Sequence, residues 1–191
     1  LSKRNKKNLR KQQSISNKIS KEDIEYLSEE YEQVVYLNSN SKERTSLLAI
    51  GQKAAFKPKG NQVFDGLKEF IDEHQDWVFG YLSYDLKNEI EPSLSSQNSD
   101  SFNFPNCHFF VPKFVLELNE KEQVLHYQNE EEKEKFLSFC GKKHRKTVKN
   151  TVKVDFLQKM SKKEYTEKFA QIKHHIQQGD IYEMNFCHEF F

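Results

Sequence analysis

The chain has 191 residues, 31% of which are charged, and its formal net charge at pH 7 is only +1. A net charge so close to zero gives no general electrostatic reason to bind nucleic acid or an acidic membrane surface. No apolar run approaches the roughly 18 residues that a membrane span needs, and the three widely spaced cysteines favour a reduced protein. We therefore expect a cytoplasmic protein without nucleic-acid or membrane partners.

The first twenty residues are basic and polar and contain no acid, and six cations lie within the first eleven: Lys3, Arg4, Lys6, Lys7, Arg10 and Lys11. Such a run can be a nucleic-acid-binding arm, but no aromatic residues are interleaved to stack on bases. We predict that residues 1–20 form a disordered N-terminal segment. Ser20, with Asp23 three positions later, predicts the start of a helix.

The middle of the chain alternates strand and helix patterns. Pro112 falls inside one predicted strand and indicates an edge strand or a β-bulge, whereas Gly80 in another permits close approach of a neighbouring backbone. Together the patterns predict an α+β fold with antiparallel sheets flanked by helices. The predicted strands are 33–37, 46–56, 77–82, 104–118, 123–128 and 147–156, and the helices are 62–73 and 130–140.

The last thirty-two residues predict a capped helix followed by a strand. Ser161 and Glu164 form a capping box, and Gly179 suits the left-handed position that ends a helix. Between them an apolar stripe recurs at spacings of four, three and four residues: Tyr165, Phe169, Ile172 and Ile176. Over 181–190 the apolar period changes to two, which predicts a strand with a polar and a mostly apolar face. The residues of the apolar face are Tyr182, Met184, Phe186, His188 and Phe190.

Common catalytic and nucleotide-binding motifs are absent from these 191 residues: GxGxxG, GxxxxGK[ST], GxSxG and HExxH do not occur. His174 and His175 are adjacent on the predicted helix and project about 100° apart, so they cannot ligate one metal ion from a single face. We therefore predict no metal ligand and no catalytic residue within this sequence.

The terminal unit resembles the helix-to-strand junction of chorismate-utilising enzymes, whose pattern is "EY…V…I..GD" followed by "I-[FY]-Q-V-[NV]-x-x-x-R-F". Two positions depart from the pattern, with Glu183 in place of glutamine and Glu189 in place of arginine. A second block, WVFGYLSYD at 77–85, is similar to the "G-[YL]-[LF]-[SG]-Y-D" signature. The matching residues of the junction are Glu164, Tyr165, Ile176, Gly179, Asp180, Ile181, Tyr182, Asn185 and Phe190.

This resemblance implies the N-terminal portion of the two-sheet fold of anthranilate synthase component I. It implies a scaffold region over 21–158 and the start of a truncated chorismate-binding region over 159–191. The chain begins with Leu1 and ends inside the predicted strand, so we expect a fragment of a longer protein. In the family the catalytic residues and the carboxylates that hold Mg²⁺ belong to the C-terminal half, which we expect beyond residue 191.

The resemblance also implies the reaction and its partners. Tyr182 with Asn185 favours component I of aminodeoxychorismate synthase, which aminates chorismate with ammonia from a glutamine amidotransferase component in the route to para-aminobenzoate and folate. The fragment itself is expected to be inactive. Anthranilate synthase component I is the alternative within the family, and a non-catalytic β-rich binding module is the alternative outside it.

A tryptophan pocket is the one ligand site that the resemblance places in this sequence. Leu37 and Ser39 match a motif at the end of a strand that holds tryptophan in some family members, and Arg44 matches an arginine that follows. For Ser39 an ordinary turn after a strand is the alternative interpretation.

Overall fold

The structure, a computed structural model, describes residues 10–16, 19–41, 43–58, 63–91, 93–95, 103–141 and 155–190. The chain divides into two compact units, Leu1–Arg145 and Lys146–Phe191. The start of the chorismate-binding region at residue 159 stays a prediction.

Strands and helices alternate in the described part of the first unit as the sequence patterns predict, and one long helix follows in the second. Their bounds are β1 Lys11–Ser14, α1 Lys21–Glu30, β2 Val34–Leu37, β3 Ser46–Phe56, α2 Val63–His74, β4 Phe79–Leu82, a 3₁₀ turn Tyr84–Leu86, α3 Lys87–Ile90, β5 Cys107–Leu118, β6 Gln123–Tyr127, α4 Glu130–Cys140 and α5 Lys162–Gln178.

The strands of the described residues form one antiparallel sheet in the order β1-β6-β5-β3-β2, with β4 also paired to β5. The predicted α+β class is confirmed. The second sheet that the family resemblance implies is not among the described residues and stays a prediction. No helix in the described ranges has the length and apolar character needed to cross a membrane.

The pairing of β3 with β5 changes register between Gln52 and Ala54, opposite Pro112. Gly51, which directly precedes this irregularity, has a φ of 67° in the left-handed region that favours glycine. A bulge allows the sheet to accommodate a proline, which cannot donate a hydrogen bond to the neighbouring strand. The bulge predicted from Pro112 is thus confirmed, although β5 lies inside the sheet and is not an edge strand.

Helices α1 and α4 cover one face of the sheet. Leu27 of α1 and Phe136 of α4 are fully buried there, and the ring of Phe136 stacks on that of Phe114 with centroids 4.7 Å apart. The other face carries a smaller cluster of Ala49, Phe79, Phe110 and Val115, with Trp77 packed against it. Aromatic residues therefore supply much of the core of a chain whose mean hydropathy is only −0.89.

The expectation of disorder over 1–20 is wrong where the structure describes that segment. Lys11–Ser14 pair with Val124–Tyr127 of β6 as an edge strand, and the Arg10 side chain is only 4% exposed. Main-chain hydrogen bonds and a buried ion pair hold this strand, and neither leaves a hydrophobic pattern in the sequence. Residues 1–9 lie outside the described residues, so the prediction for them stays a prediction.

The second unit confirms the predicted helix and corrects the predicted strand. Ser161 and Glu164 form the capping box, and Gly179 ends α5 with a φ of 82°. Residues 181–190 do not form a ladder, because the pairing in the described part of the unit is an isolated bridge between Gln158 and Phe190. The strand predicted over 147–156 lies mostly outside the described residues.

Candidate functional site

The three residues predicted for a tryptophan pocket lie around the turn between β2 and β3. Leu37 ends β2 and pairs with Leu47 across the ladder, but its side chain is 52% exposed. Arg44 is also exposed. The turn thus brings the three positions into one loop, with Ser39 half-buried between two exposed neighbours.

The hydroxyl of Ser39 holds the turn together. Its Oγ lies 3.1 Å from the carbonyl oxygen of Arg44 and 3.2 Å from that of Ser41, so it can donate to either. The Ser39 amide donates to Ser46 Oγ at 3.1 Å. These contacts join Ser39 to the backbone of Arg44 and not to its guanidinium, which supports the interpretation of Ser39 as a turn residue. A tryptophan site at these residues stays a prediction.

The second family-like block lies on β4 and the 3₁₀ turn that follows it. Gly80 pairs with Phe109, and a Cβ atom at Gly80 would come within 2.1 Å of the His108 carbonyl oxygen. The close backbone approach predicted for Gly80 is therefore confirmed. Ser83 Oγ donates to Asn106 Oδ1 at 2.7 Å, which fastens the end of β4 to the chain entering β5.

An aspartate at the end of such a block predicts a cap for the helix that follows, but Asp85 does not cap the short helix here. The residue at the N-cap of the 3₁₀ turn is Ser83, and the residue at the N-cap of α3 is Leu86. Asp85 lies within the turn and forms an ion pair with Lys87 Nζ at 3.1 Å. Because this ion pair is half-exposed at the surface, we interpret Asp85 as part of a stabilising contact and not as a catalytic acid.

The second unit contains an open cleft of about 290 Å³, lined by Gln158, Lys162, Tyr165, His188 and Phe190. Its volume is near the lower end of the range for small-molecule sites. The walls are aromatic: the Phe190 and His188 rings have centroids 4.5 Å apart, and those of His188 and Tyr165 are 6.1 Å apart. The aromatic part of the cleft suits a flat apolar group.

His188 is a functional candidate that the sequence alone does not single out, because a histidine in a predicted strand is usually an ordinary core or surface residue. Its Nε2 is buried and has no hydrogen-bond partner in the described part of the chain. Buried polar nitrogens are usually paired, so this atom is unusual. The feature of the sequence that could have identified His188 is the apolar period of two, which places it on one face with Phe186 and Phe190.

Two titratable groups elsewhere in the described residues have pKa values shifted by burial. Burial lowers the pKa of His108, and burial raises the pKa of the Cys140 thiol to about 12. Both shifts favour the uncharged form, as expected for groups in an apolar environment. Among the described residues no group of three or more His, Cys, Asp and Glu side chains could hold a metal ion.

Comparison with known proteins gives one family. The sequence model described as chorismate binding enzyme matches residues 18–191, which leaves only the first seventeen residues outside the match. A search of curated proteins found no significant match.

Proposed function

Because the chain belongs to the family of chorismate binding enzymes, we propose that it is part of component I of an aminodeoxychorismate synthase. In this proposal the full-length protein replaces the C4 hydroxyl of chorismate with an amine, using ammonia delivered by a glutamine amidotransferase partner. The observation that carries the proposal is the family match over 18–191. The pair Tyr182 and Asn185 supports aminodeoxychorismate over anthranilate as the product.

The contribution of this chain is structural in the proposal. Phe169 and Ile176 on the apolar stripe of α5 are 51% and 41% exposed, and Met184 on the following segment is 55% exposed. Exposed apolar side chains on a helix and on the segment that follows it indicate a surface that packs against further protein. We propose that this surface meets the rest of the chorismate-binding region in the full-length enzyme.

Magnesium is implied by the family resemblance, and the described residues do not fit it, because they contain no cluster of carboxylates that could hold a metal ion. We therefore derive no step through Mg²⁺ from these residues, and we propose that the ion is bound by residues beyond 191. The three cysteines are free thiols, which supports our proposal of a reducing, cytoplasmic location.

The test is product analysis of the full-length protein with chorismate, Mg²⁺ and ammonium. We expect mass spectrometry to detect aminodeoxychorismate. Anthranilate as the product would replace the proposal with anthranilate synthase, and the absence of any chorismate conversion would overturn both. Residues 1–191 alone should convert no chorismate, and aminodeoxychorismate from that fragment would contradict the structural role given to it.

Tryptophan is the proposed ligand of the turn between β2 and β3. Leu37 is the apolar side chain offered there, so Leu37→Ala should weaken tryptophan binding in isothermal titration calorimetry. Leu82, which is similarly exposed at 46%, provides the matched control Leu82→Ala. Equal tryptophan affinities of the two variants, or no tryptophan binding to the full-length wild-type protein, would contradict a tryptophan site at this turn.

A further inference from the structure

Arg10 lies where its charge is almost completely buried. Its side chain is 4% exposed and that of its partner Asp76 is 3% exposed, with Nε and Oδ1 only 2.6 Å apart. The two terminal nitrogens donate to the carbonyl oxygens of Lys113 at 2.9 Å and of Pro112 at 2.5 Å. The planar guanidinium thus uses several of its donors at once, which a lysine ammonium could not reproduce in this geometry.

Asp76 is equally well satisfied. Besides Arg10, its Oδ1 accepts from the amide of Trp77 at 2.7 Å, and its Oδ2 accepts from Gln128 Nε2 at 3.1 Å. A buried ion pair with this many hydrogen bonds is tolerated, but removing one partner leaves an uncompensated charge in the protein. Without Arg10, the Asp76 carboxylate would be left buried without its counter-charge.

Strand β1, which follows Arg10, has no buried side chain, since all four of its residues are exposed. Its contacts are the backbone ladder with β6 and an exposed ion pair between Lys11 and Glu130. After the strand, the Ile15 amide donates to the Gln123 carbonyl at 2.8 Å, and the partly buried Ile15 side chain packs against the core cluster that contains Leu27 and Phe136. The Gln123 side chain also exchanges two hydrogen bonds with the backbone of Ile19. The buried contact at the amino end of the strand is thus the one made by Arg10.

We propose that the outer edge of β6 and Asp76 form a docking site for an extended, arginine-bearing segment, occupied by residues 10–16 of the same chain as a releasable strap. The occupant is the chain's own segment because both the arginine and the strand register come from it. When the ion pair is broken, the strap separates and the edge of β6 accepts another copy of the segment in trans. Unpaired strand edges bind extended peptides in this manner.

Peptide binding tests the receptor with the full chain. A fluorescein-labelled peptide of residues 9–16 should bind saturably to the Arg10→Ala chain, as followed by fluorescence anisotropy. The same peptide carrying Arg10→Ala should bind at least about tenfold more weakly, because it lacks the charge that matches Asp76. Equal affinity of the two peptides, or peptide binding to the wild-type chain as tight as to the variant, would overturn the proposal.

A pair of proline substitutions tests the strap without touching the ion pair. Amides along an antiparallel strand point alternately towards the partner strand and away from it. Because the Ile15 amide donates to Gln123, the amide of Gln13 also points to β6 and that of Gln12 points outward. Gln13→Pro removes a ladder bond and should release the strap, whereas Gln12→Pro should leave it in place. The readout is amide hydrogen exchange at Leu125 and Tyr127, which face β1.

Exchange at Leu125 and Tyr127 should be at least about tenfold faster in Gln13→Pro and in Arg10→Ala than in the wild type. Exchange at Val124 and His126, which pair with β5, should stay unchanged and shows whether a variant has unfolded as a whole. If Arg10→Ala unfolds the protein, the proline pair still decides the question. Unchanged exchange at Leu125 and Tyr127 in Gln13→Pro would overturn the strap.

Discussion

The ring of Tyr165 stacks on the ring of Phe186, with centroids 4.9 Å apart and planes 27° from parallel. The first residue belongs to the apolar stripe of α5, and the second belongs to the alternating segment that follows the helix. Their contact folds the segment back against the helix without a β-ladder. Aromatic packing, not sheet pairing, therefore organises this unit in the described residues.

Phe186→Ala should lower the stability of the second unit by about 1–2 kcal/mol, because a half-buried ring and its stacking contact are lost. The measurement is hydrogen exchange of the α5 amides. Tyr182→Ala is the matched control, since the Tyr182 side chain is 94% exposed on the same segment. Equal effects of the two substitutions would show that the stack does not stabilise the helix.

Gly80→Ala should destabilise the first unit by about 3 kcal/mol, because the added methyl group would clash with backbone atoms of β5. A Cβ at this position would lie 2.6 Å from Phe109 Cα, and backbone atoms cannot move away cheaply. Gly179→Ala has open space around it but a left-handed backbone, so it should cost only about 1–2 kcal/mol. Chemical denaturation measures the free energy of unfolding of Gly80→Ala, and hydrogen exchange of the α5 amides measures the loss of stability in Gly179→Ala.

Ser161→Ala should destabilise α5 by about 1 kcal/mol through loss of its N-cap. The hydrogen bond from the Ser161 hydroxyl, followed by that from its amide, lowers the pKa of Glu164. A lowered pKa in the folded protein means that the contribution of Glu164 is present above its ordinary pKa of 4.5 and is lost as the pH falls through the folded value. Helix content of the wild type should therefore decrease in acid more than that of Glu164→Gln, as followed by circular dichroism.

Glu130 should titrate with a pKa of about 2, because Lys11 first and Lys133 second donate hydrogen bonds to its carboxylate. The stabilisation from this carboxylate is complete above about pH 4.5 and is lost as the pH falls towards 2. Lys11→Ala should raise the pKa of Glu130 measured by carboxyl NMR. Lys135→Ala is the control, because Lys135 pairs with Glu131 at 2.7 Å, and a similar shift in both variants would contradict the assignment.

The three thiols should differ in reactivity. Cys187 is exposed, whereas Cys107 is buried, and burial raises the pKa of the Cys140 thiol to about 12. Because the thiolate is the nucleophile, iodoacetamide at pH 8 should modify Cys187 first. Mass spectrometry of the labelled peptides measures the order, and equal labelling of Cys140 and Cys187 in the native protein would contradict it.

Helix α5 shows how much a local pattern can predict. The capping box at Ser161 and Glu164, the apolar spacing and the terminal Gly179 each act within a few residues of the chain, so the sequence contains all the information needed. The same holds for Gly80 and Pro112, whose backbone properties are intrinsic to the residue type. For Ser39 the sequence predicts a turn but not the hydrogen-bond partners of its hydroxyl, because these partners depend on how the loop folds.

The sequence by itself determined the α+β class, the bounds of α5 and the family resemblance, because these depend on short-range periodicity and on residue identity. Only the tertiary structure decided that Arg10 is buried, that Lys11–Ser14 form an edge strand and that 181–190 is not part of a ladder. The first two outcomes depend on partners far along the chain, Asp76 for Arg10 and β6 for Lys11–Ser14. A hydrogen bond or an ion pair needs two groups, and the pattern around one of them does not reveal where the other lies.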